Sequence, residues 1–364
     1  MRKLLDRYTL GQFFSILFFS MIGFVVVFTL VDIIDHLDMF IDTNITGHEI
    51  VLYYAYTIPW FINIAFPMSL LVSTIFSFGL LQKRNEISAI KASGISIHRI
   101  SIPLLVLGLI FSVFSFYFDN YVVTANFQKR AVIENKYSKR YNSKVSKNIK
   151  RNNIIRSVNN TVDNVIIIKR FSFKKNTAYN VSLQIFKDKI MRSRIDLPKM
   201  VWVDTLNKWT AKNYSKRVFN ENGIINHKST GKDTLLTIDR PSILTNYAEP
   251  KEMNYWELSE FIQQSEIMGE DMTRNKVNLH FKSAFGFSSF LMILFGLSLS
   301  IGKQRSSMAL GLGLSIFVIF LYYATLKYGQ YLGYEGLLSP WFSVWMANFI
   351  FVLFGTILFY KTRT

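Results

Sequence analysis

The sequence contains no cysteine, and its five histidines lie far apart along the chain. The absence of cysteine excludes disulfide bonds and thiolate metal sites. None of the HExxH, GxSxG or Ser/Lys patterns that mark hydrolases occurs. The segment from Gly296 to Lys303 resembles a phosphate-binding loop, but five residues separate Gly296 from Gly302 where that loop has four. The sequence therefore predicts no ATP binding through this motif and shows no recognisable catalytic centre.

What the sequence does contain is six long apolar runs, divided into two groups of three by a polar central segment. Each run reaches the roughly 20 residues that a helix needs to cross a bilayer. The runs are residues 13–34, 50–81, 100–122, 281–301, 308–328 and 340–360. A soluble core cannot enclose six helices that are apolar on every side. We therefore expect an α-helical membrane protein with six transmembrane helices in a 3 + 3 arrangement.

The short connections between the runs differ in charge, and this difference predicts orientation. Connections on one side carry lysine and arginine, whereas those on the other side are acidic or nearly neutral. Lysine and arginine in short loops mark the cytoplasmic side, so both chain termini are expected in the cytoplasm. Most of the 42 lysines and arginines lie in the central segment, but long domains cross the membrane largely regardless of charge. The central segment is therefore expected outside, and the net charge of +18 predicts an anionic lipid or glycolipid as partner, not nucleic acid.

The central segment has short β-branched runs, such as residues 165–168, between Asn, Lys, Gly and Asp. This pattern is typical of antiparallel strands and predicts a β-sandwich or an open barrel. Asn254 is placed to cap the amphipathic helical pattern that follows it. The predicted domains are residues 1–122 with three transmembrane helices, 123–252 as an all-β domain, 253–280 as an amphipathic connecting helix, and 281–364 with three more transmembrane helices.

The outer end of the first run carries Asp32, Asp35, His36 and Asp38. Asp32 and His36 share one helix face, as do Asp35 and Asp38. One interpretation is a metal or proton site, or a membrane enzyme that uses these carboxylates. The favoured interpretation is an acidic rim at the membrane interface, where charge is less costly than inside the bilayer. We therefore assign no metal site.

The fourth and fifth runs are rich in small residues, which let transmembrane helices approach closely. These include Gly286, Gly296, Gly302, Gly311 and Gly313. The pattern fits packing within the chain and packing on a second subunit equally well.

The connection between the second and third runs has the clearest local pattern. A short helix is expected over about residues 84–94, with Asn85 as its N-cap and Gly94 as its stop. Glu86 lies near the positive N-terminus of this helix, where its charge is favourable. Two isoleucines share a face that could dock a partner, Ile87 and Ile90. The residues alone also fit an ordinary amphipathic helix on the lipid surface.

Residues 81–95 resemble the coupling segment of the lipopolysaccharide export permease family, LptF/LptG, in which a basic residue, a glutamate and a small apolar stretch precede Ala-Ser-Gly. Three further motifs agree with that family. They are Leu5-Asp6-Arg7-Tyr8 near the start, Met253-Asn254-Tyr255-Trp256-Glu257-Leu258 before the fourth run, and Arg305-Ser306 after it. The Asp-Arg-Tyr motif favours the LptG-type subunit over the LptF-type. With the 3 + 3 layout, the resemblance covers essentially the whole chain.

The resemblance implies a permease subunit of an ABC exporter in the inner membrane of a Gram-negative bacterium. Such a subunit pairs with a second homologous six-helix permease and with a dimeric cytoplasmic ATPase, which uses ATP and magnesium. The chain itself is expected to bind no cofactor. It extracts lipopolysaccharide and passes it, through a periplasmic jellyroll-like domain, to a periplasmic bridge protein. The alternative is a non-transporting ABC-type permease that transmits force or a signal to periplasmic partners.

The resemblance also implies roles for individual residues. In the family, the coupling helix lies in a groove of the ATPase with its glutamate facing a basic residue, and Glu86 occupies that position. The residues expected to take part in coupling are Arg84, Glu86, Ile87, Ile90 and Gly94. The candidates for the wall of the lipid cavity are Phe18, Phe19, Phe24 and Phe28. Some LptG-type members carry lysines where this chain has its outer aspartates. The contact with lipid phosphates is therefore expected from Lys129 and Arg130, with the partner subunit, or a divalent cation that bridges the aspartates to phosphate, as alternatives.

Overall fold

The computed structural model describes residues 2–42, 45–141, 149–159, 162–172, 177–187, 190–203, 208–211, 214–220, 223–230, 234–236, 250, 252–267, 271–301 and 308–361. The chain divides into two compact units. The first contains Met1–Tyr141, Pro250–Leu258 and Thr273–Thr364, and the second contains Asn142–Glu249 and Ser259–Met272. The first unit holds the long helices, and the second holds the strands.

The helices in chain order are α1 (Arg2–Asp35), α2 (Leu37–Asp42), α3 (Gly47–Lys83), α4 (Glu86–Ala92), α5 (Ile97–Tyr117), a π-helical segment (Phe118–Val123), α6 (Thr124–Tyr141), α7 (Tyr255–Ile267), α8 (Thr273–Ile301), α9 (Met308–Tyr334) and α10 (Pro340–Lys361). Within the described part of the chain, six helical stretches are long and apolar enough to cross a membrane. They are Leu4–Asp35, Gly47–Lys83, Ile97–Glu134, Thr273–Ser300, Gly311–Tyr334 and Pro340–Lys361. The prediction of six candidate membrane helices is confirmed.

The third span continues past residue 122, where the sequence analysis places the start of the β-domain. α5 leads into the π-helical segment and then directly into α6. The hydroxyl of Thr124 donates to the carbonyl oxygens of Asp119 at 2.7 Å and Asn120 at 2.9 Å, which keeps these carbonyl groups hydrogen-bonded in the wider turn. The helix extends to Tyr141 because residues 123–141 contain neither glycine nor proline to break it.

Residues 253–280 form parts of two helices and not a single connecting helix. The side chain of Asn254 accepts a hydrogen bond from the Glu257 N–H at 2.9 Å, and Glu257 Oε2 accepts from the Asn254 N–H at 3.0 Å. This reciprocal capping box confirms Asn254 as the N-cap of α7. α7 ends at Ile267, and residues 271 and 272 are not helical before α8 begins. α8 therefore takes in polar residues that the sequence analysis assigned to the connecting helix.

Among the membrane spans, α8 is the most buried and α1 the least. In their most apolar stretches, 78% of the α8 residues are buried, against 6% of those in α1. α8 approaches its neighbours closely at two glycines. A methyl group on Gly286 would lie 3.1 Å from the carbonyl oxygen of Ser112 in α5, and one on Gly296 would lie 2.6 Å from Thr74 Cβ in α3. These glycines therefore pack within the chain.

The other glycines of the fourth and fifth runs differ in whether they pack within the chain or remain open to a second subunit. Gly311 lies against Ile75 of α3, because a methyl group there would come 3.1 Å from the Ile75 side chain. Gly313 has no neighbour within 4 Å in the described chain and is exposed. Gly302, like Arg305 and Ser306, lies outside the described residues. Gly313 is thus the described glycine of this set that remains open to contact with another molecule.

A buried polar cluster joins α3, the π-helical segment and α8. Lys282 Nζ lies 3.0 Å from Asp119 Oδ2, and Asn63 Nδ2 donates to Asp119 Oδ1 at 2.9 Å. The Ser115 hydroxyl lies 3.4 Å from Asn63 Oδ1, to which it donates. The side chains of Lys282 and Asp119 are only 13% and 18% exposed. Charge within a membrane helix is costly, and here each charge is neutralised by the other.

The strands of the second unit are β1 (Ile149–Asn159), β2 (Val162–Ser172), β3 (Thr177–Lys187), β4 (Ile190–Val203), β5 (Lys208–Ala211), β6 (Tyr214–Asn220), β7 (Gly223–Thr230) and β8 (Thr234–Leu236). All described pairs are antiparallel, in the order β1-β2-β3-β4-β5-β8, while β6 pairs with β4 and β7. One edge of β4 is shared, because residues 193–196 pair with β6 and residues 200–203 with β5. The antiparallel strands are confirmed, and their closure into a jellyroll stays a prediction.

Along β4, apolar and charged side chains alternate, as expected for a sheet with one face buried. Ile195 and Leu197 belong to the buried core of the unit. Between them lies Asp196, whose Oδ1 accepts from Arg194 Nε at 2.9 Å and whose Oδ2 accepts from Arg217 of β6. Burial alone would raise the pKa of the Asp196 carboxyl. Hydrogen bonding, first from Arg194 and then from Ser182 and Arg217, together with the charge of Arg194, outweighs burial and lowers that pKa below its ordinary value.

The lowered pKa makes the stability of the sheet depend on pH. The charged carboxyl of Asp196 stabilises the folded unit above its unfolded pKa of about 3.9, and this contribution is lost as the pH falls through the lower folded value. At pH 7, Asp196→Asn is therefore expected to speed amide hydrogen exchange in β4 and β6 relative to the wild type. The difference should shrink below about pH 4. Hydrogen-exchange mass spectrometry of both proteins, at pH 7 and below about pH 4, measures this difference in exchange rate. A difference that is as large at the low pH as at pH 7 would contradict the prediction.

The Asp119–Lys282 pair gives a second prediction, on thermal stability. Lys282→Ala leaves Asp119 unpaired, and removing one partner of a buried ion pair costs about 3–5 kcal/mol. Because both side chains keep some exposure to solvent, we expect a cost at the low end of this range. The double variant Asp119→Asn/Lys282→Ala is expected to melt above Lys282→Ala alone, because no unpaired charge remains. Thermal unfolding in detergent measures both midpoints, and a double variant that melts no higher would exclude an unpaired charge as the cause.

Candidate functional site

The connection between α3 and α5 is built around the short helix α4. The chain turns at Asn85, whose backbone is left-handed with a φ of 57°. Asn85 is at the predicted N-cap position, but its side chain makes no capping hydrogen bond. α4 ends at Ala92, and Gly94, which follows the C-cap residue Ser93, has a φ of +78°. The Gly94 N–H donates to Lys91 O at 2.9 Å and the Ile95 N–H donates to Ile90 O at 3.3 Å. This is a Schellman motif, which confirms Gly94 as the stop of the helix.

The apolar face of α4 is turned towards the helical core. Ile87 is buried in that core, together with Leu81 of α3 and Ile97 of α5, and Ile90 is packed at its edge. Ile87 therefore anchors α4 to its own chain, contrary to the expectation that it lies on a docking face. The exposed surface of α4 is formed by small and basic residues, Ser88, Ala89, Lys91 and Ala92.

Glu86 stands at the start of α4 and is half-buried. Its Oε1 accepts a hydrogen bond from the Tyr8 hydroxyl of α1 at 3.1 Å. Arg84 lies beside this pair, with Nη1 3.9 Å from Glu86 Oε1 and 3.5 Å from the Tyr8 oxygen. The carboxylate is thus held at the surface by α1 and by its own connection.

A second contact joins α1 to the same connection. Arg99, in the first turn of α5, donates from Nη1 to Asp6 Oδ1 at 2.9 Å and from Nη2 to Asp6 Oδ2 at 3.0 Å. Sequence reasoning did not pair Asp6 with Arg99 or Tyr8 with Glu86. The available signal was the motif of residues 5–8, which was recognised without a structural role.

The four phenylalanines predicted to line a lipid cavity do not form one group. Phe18 and Phe19 point outwards and are 62% and 70% exposed. Phe24 and Phe28 are half-buried, and the Phe28 ring lies 6.2 Å from that of Phe61 in α3. The exposed face instead continues from Phe18 at every fourth residue, through Ile22, Val26, Leu30 and Ile34. One face of α1 is thus an open apolar stripe along its length.

At the C-terminal end of α1, the acidic residues differ in environment. His36 Nδ1 lies 2.9 Å from the carbonyl oxygen of Asp32 and 3.4 Å from its carboxylate. Asp35 and Asp38 are exposed. Among the described residues, no three or more histidine, aspartate or glutamate side chains are grouped so that they could hold a metal ion. The acidic rim at the membrane interface stays a prediction.

The two predicted phosphate contacts, Lys129 and Arg130, face different surroundings. Lys129 is exposed, with Nζ 5.6 Å from the centre of the Tyr56 ring. Arg130 is buried against Tyr53, with its guanidinium carbon 4.7 Å from the ring centre and Nη2 donating to the Tyr53 hydroxyl at 2.5 Å. Two further rings enclose the guanidinium group, those of Trp60 and Phe127. Lys129 is therefore the accessible cation of the two, and Arg130 acts within the packing of α3 and α6.

The comparison with protein families decides the identity of the chain. The model of the family described as lipopolysaccharide export system permease LptF/LptG matches residues 7–361. The chain belongs to the LptF/LptG family. Its role is that of a permease in lipopolysaccharide export, which is a transporter component and not an enzyme. A comparison with curated proteins found no significant match. The assignment to an LptG-type or LptF-type subunit stays a prediction.

The burial of Arg130 in this LptF/LptG chain gives a testable contrast with its neighbour. Arg130→Ala is expected to lower thermal stability, because it removes the buried hydrogen bond to Tyr53 and the cation–π contacts, together worth about 2–4 kcal/mol. Lys129→Ala, on the exposed side of the same helix, is expected to change stability by less than about 0.5 kcal/mol. Unfolding midpoints of both variants in detergent measure the contrast, and equal midpoints would contradict it.

Proposed function

We propose that this chain is one of two different transmembrane subunits of an ABC exporter that extracts lipopolysaccharide from the inner membrane. The observation that supports this most directly is the coupling connection. By its resemblance to the family's coupling segment, Glu86 is assigned the coupling position, on a short helix that is fixed to the core by Ile87 and presents its other side outwards. Such a helix has the form needed to receive motion from a cytoplasmic partner.

The proposed orientation places the coupling connection in the cytoplasm. Lys83, Arg84 and Lys91 in this connection are exposed, and basic short loops mark the cytoplasmic side. Both termini then lie in the cytoplasm. The strand unit, inserted between the third and fourth spans, lies in the periplasm as a jellyroll-like domain and passes the lipid to a bridge protein.

Coupling starts where a dimeric ABC ATPase binds the outer side of α4. A basic residue of the ATPase pairs with the carboxylate of Glu86, whose second oxygen can accept from it while Oε1 is bound to Tyr8. Closure of the ATPase dimer on ATP and magnesium displaces α4. The displacement passes to α3 and α5 through the buried contacts of Ile87.

The lipid path follows the open face of α1. The apolar stripe from Phe18 to Ile34 offers a wall for acyl chains, and a second six-helix permease closes the cavity on the other side. Extraction needs ATP because each methylene that leaves the bilayer costs about 0.8 kcal/mol. Lys129, exposed beyond the third span, is the proposed contact for a lipid phosphate.

Gentle purification of the tagged chain from native membranes tests the proposal. The expected result is co-purification of a second six-helix permease, an ABC ATPase and bound lipopolysaccharide, identified by mass spectrometry. An ATPase without lipid would favour a non-transporting permease that transmits force or a signal. Absence of both the ATPase and the second permease would overturn the proposal.

Glu86→Arg tests the coupling position itself. The variant places a cation opposite the basic residue proposed on the ATPase, and disrupting a charge pair at an interface costs about 2–5 kcal/mol. The amount of co-purified ATPase is therefore expected to fall at least about tenfold, with membrane insertion unchanged. The matched control is Glu335→Arg, at an exposed glutamate between α9 and α10. If Glu86→Arg retains as much ATPase as the control, the coupling role of Glu86 is wrong.

A further inference from the structure

The first turns of α1 lie between the beginnings of α4 and α5. Asp6 contacts Arg99 in the first turn of α5, and Tyr8 contacts Glu86 in the first turn of α4. Asp6 and Tyr8 are two residues apart, and side chains two residues apart on an α-helix point in directions that differ by about 200°. The two side chains therefore leave α1 on different sides. α1 is therefore held from both sides of the coupling connection.

The Asp6–Arg99 contact is geometrically the more demanding of the two. Both guanidinium nitrogens donate, one to each carboxylate oxygen, at 2.9 and 3.0 Å. A two-point contact of this kind fixes the relative orientation of the two groups as well as their distance. Because Arg99 belongs to α5 and Asp6 to α1, it also fixes the start of one helix relative to the other.

The contacts matter because α1 is otherwise the least enclosed span. Its apolar stretch is 6% buried, and its buried residues towards the N-terminus are Thr9, Phe13 and Leu17. Phe13 and Leu17 lie in the same apolar core as Ile87, so packing in that core also links α4 with α1. In addition to this packing, the polar contacts of Asp6 and Tyr8 provide a direct route.

We propose that Asp6 and Tyr8 are positioning residues that carry displacement of the coupling connection to α1. The expected consequence is that α1 moves with the coupling helix and changes the width of the lipid path. This consequence rests on the proposed function. Tyr8 binds one carboxylate oxygen of Glu86 and leaves the other for the ATPase, so both contacts can exist together. The residues act through position and touch neither ATP nor lipid.

The absence of cysteine from the chain allows a direct test of positioning. Cysteines introduced at Ser15 of α1 and Ala89 of α4, both exposed, become the only labelling sites for two spin labels. In lipid nanodiscs the wild-type background is expected to give a narrow distance distribution. Asp6→Arg and Arg99→Asp should each broaden it, and the double charge swap should narrow it again. Asp35→Arg, at the exposed far end of α1, is the control and should leave it unchanged.

The same variants in the purified complex test the consequence. The single variants are expected to keep the co-purified ATPase but to move about tenfold less lipopolysaccharide per ATP hydrolysed, and the swap should recover at least half of the loss. Unchanged distance distributions in both single variants, or no recovery in the swap, would overturn the positioning role. If the wild-type complex exports no lipid, the proposed function fails, while the distance measurement still decides whether Asp6 and Arg99 position α1.

Discussion

Close helix packing without a hydrophobic driving force is the constraint on which the first unit depends. Between lipid-immersed helices, association comes from van der Waals contact and hydrogen bonds, so it requires small residues where backbones approach. α8 meets this requirement on several sides, against α5 at Gly286 and against α3 at Gly296. Gly355 of α10 lies against it as well, where an added methyl group would come 2.9 Å from Leu294. α8 is therefore in close contact with three of its neighbours, α3, α5 and α10.

α1 is the least enclosed span beside this closely packed centre. It packs along α3 and leaves an apolar stripe open. Polar contacts hold its N-terminal end, where Asp6 meets Arg99. A different polar cluster, around Asp119, ties α3 to α8 further along the spans and does not include α1. The contact of Asp6 with Arg99 and the cluster around Asp119 thus hold different parts of the bundle.

The sequence was sufficient for those features that depend on local pattern. Six apolar runs, antiparallel strands, the cap at Asn254 and the stop at Gly94 follow from composition, periodicity and capping chemistry, each within a few residues. Helix boundaries were harder to predict. The π-helical segment continues the third span through polar residues that resemble a domain boundary. The orientation of α4 was also missed. Ile87 looks like a docking residue in the sequence, but it is buried in the core that also contains Leu81 and Ile97.

Contacts between residues distant in the chain, such as Asp6 with Arg99, carry no signal in a single sequence. Neighbouring residues can be equally misleading. Lys129 and Arg130 have the same charge and adjacent positions, but successive side chains on an α-helix point about 100° apart. This difference leaves Lys129 exposed and places Arg130 among aromatic rings. Lys129 of α6 is exposed at this end of the unit, while α1 presents Asp35 and Asp38. On the proposed function, an anionic headgroup leaving the open face of α1 is therefore repelled by α1 and drawn towards α6. The aspartates, which stand where some LptG-type members carry lysines, would then direct the headgroup instead of binding it.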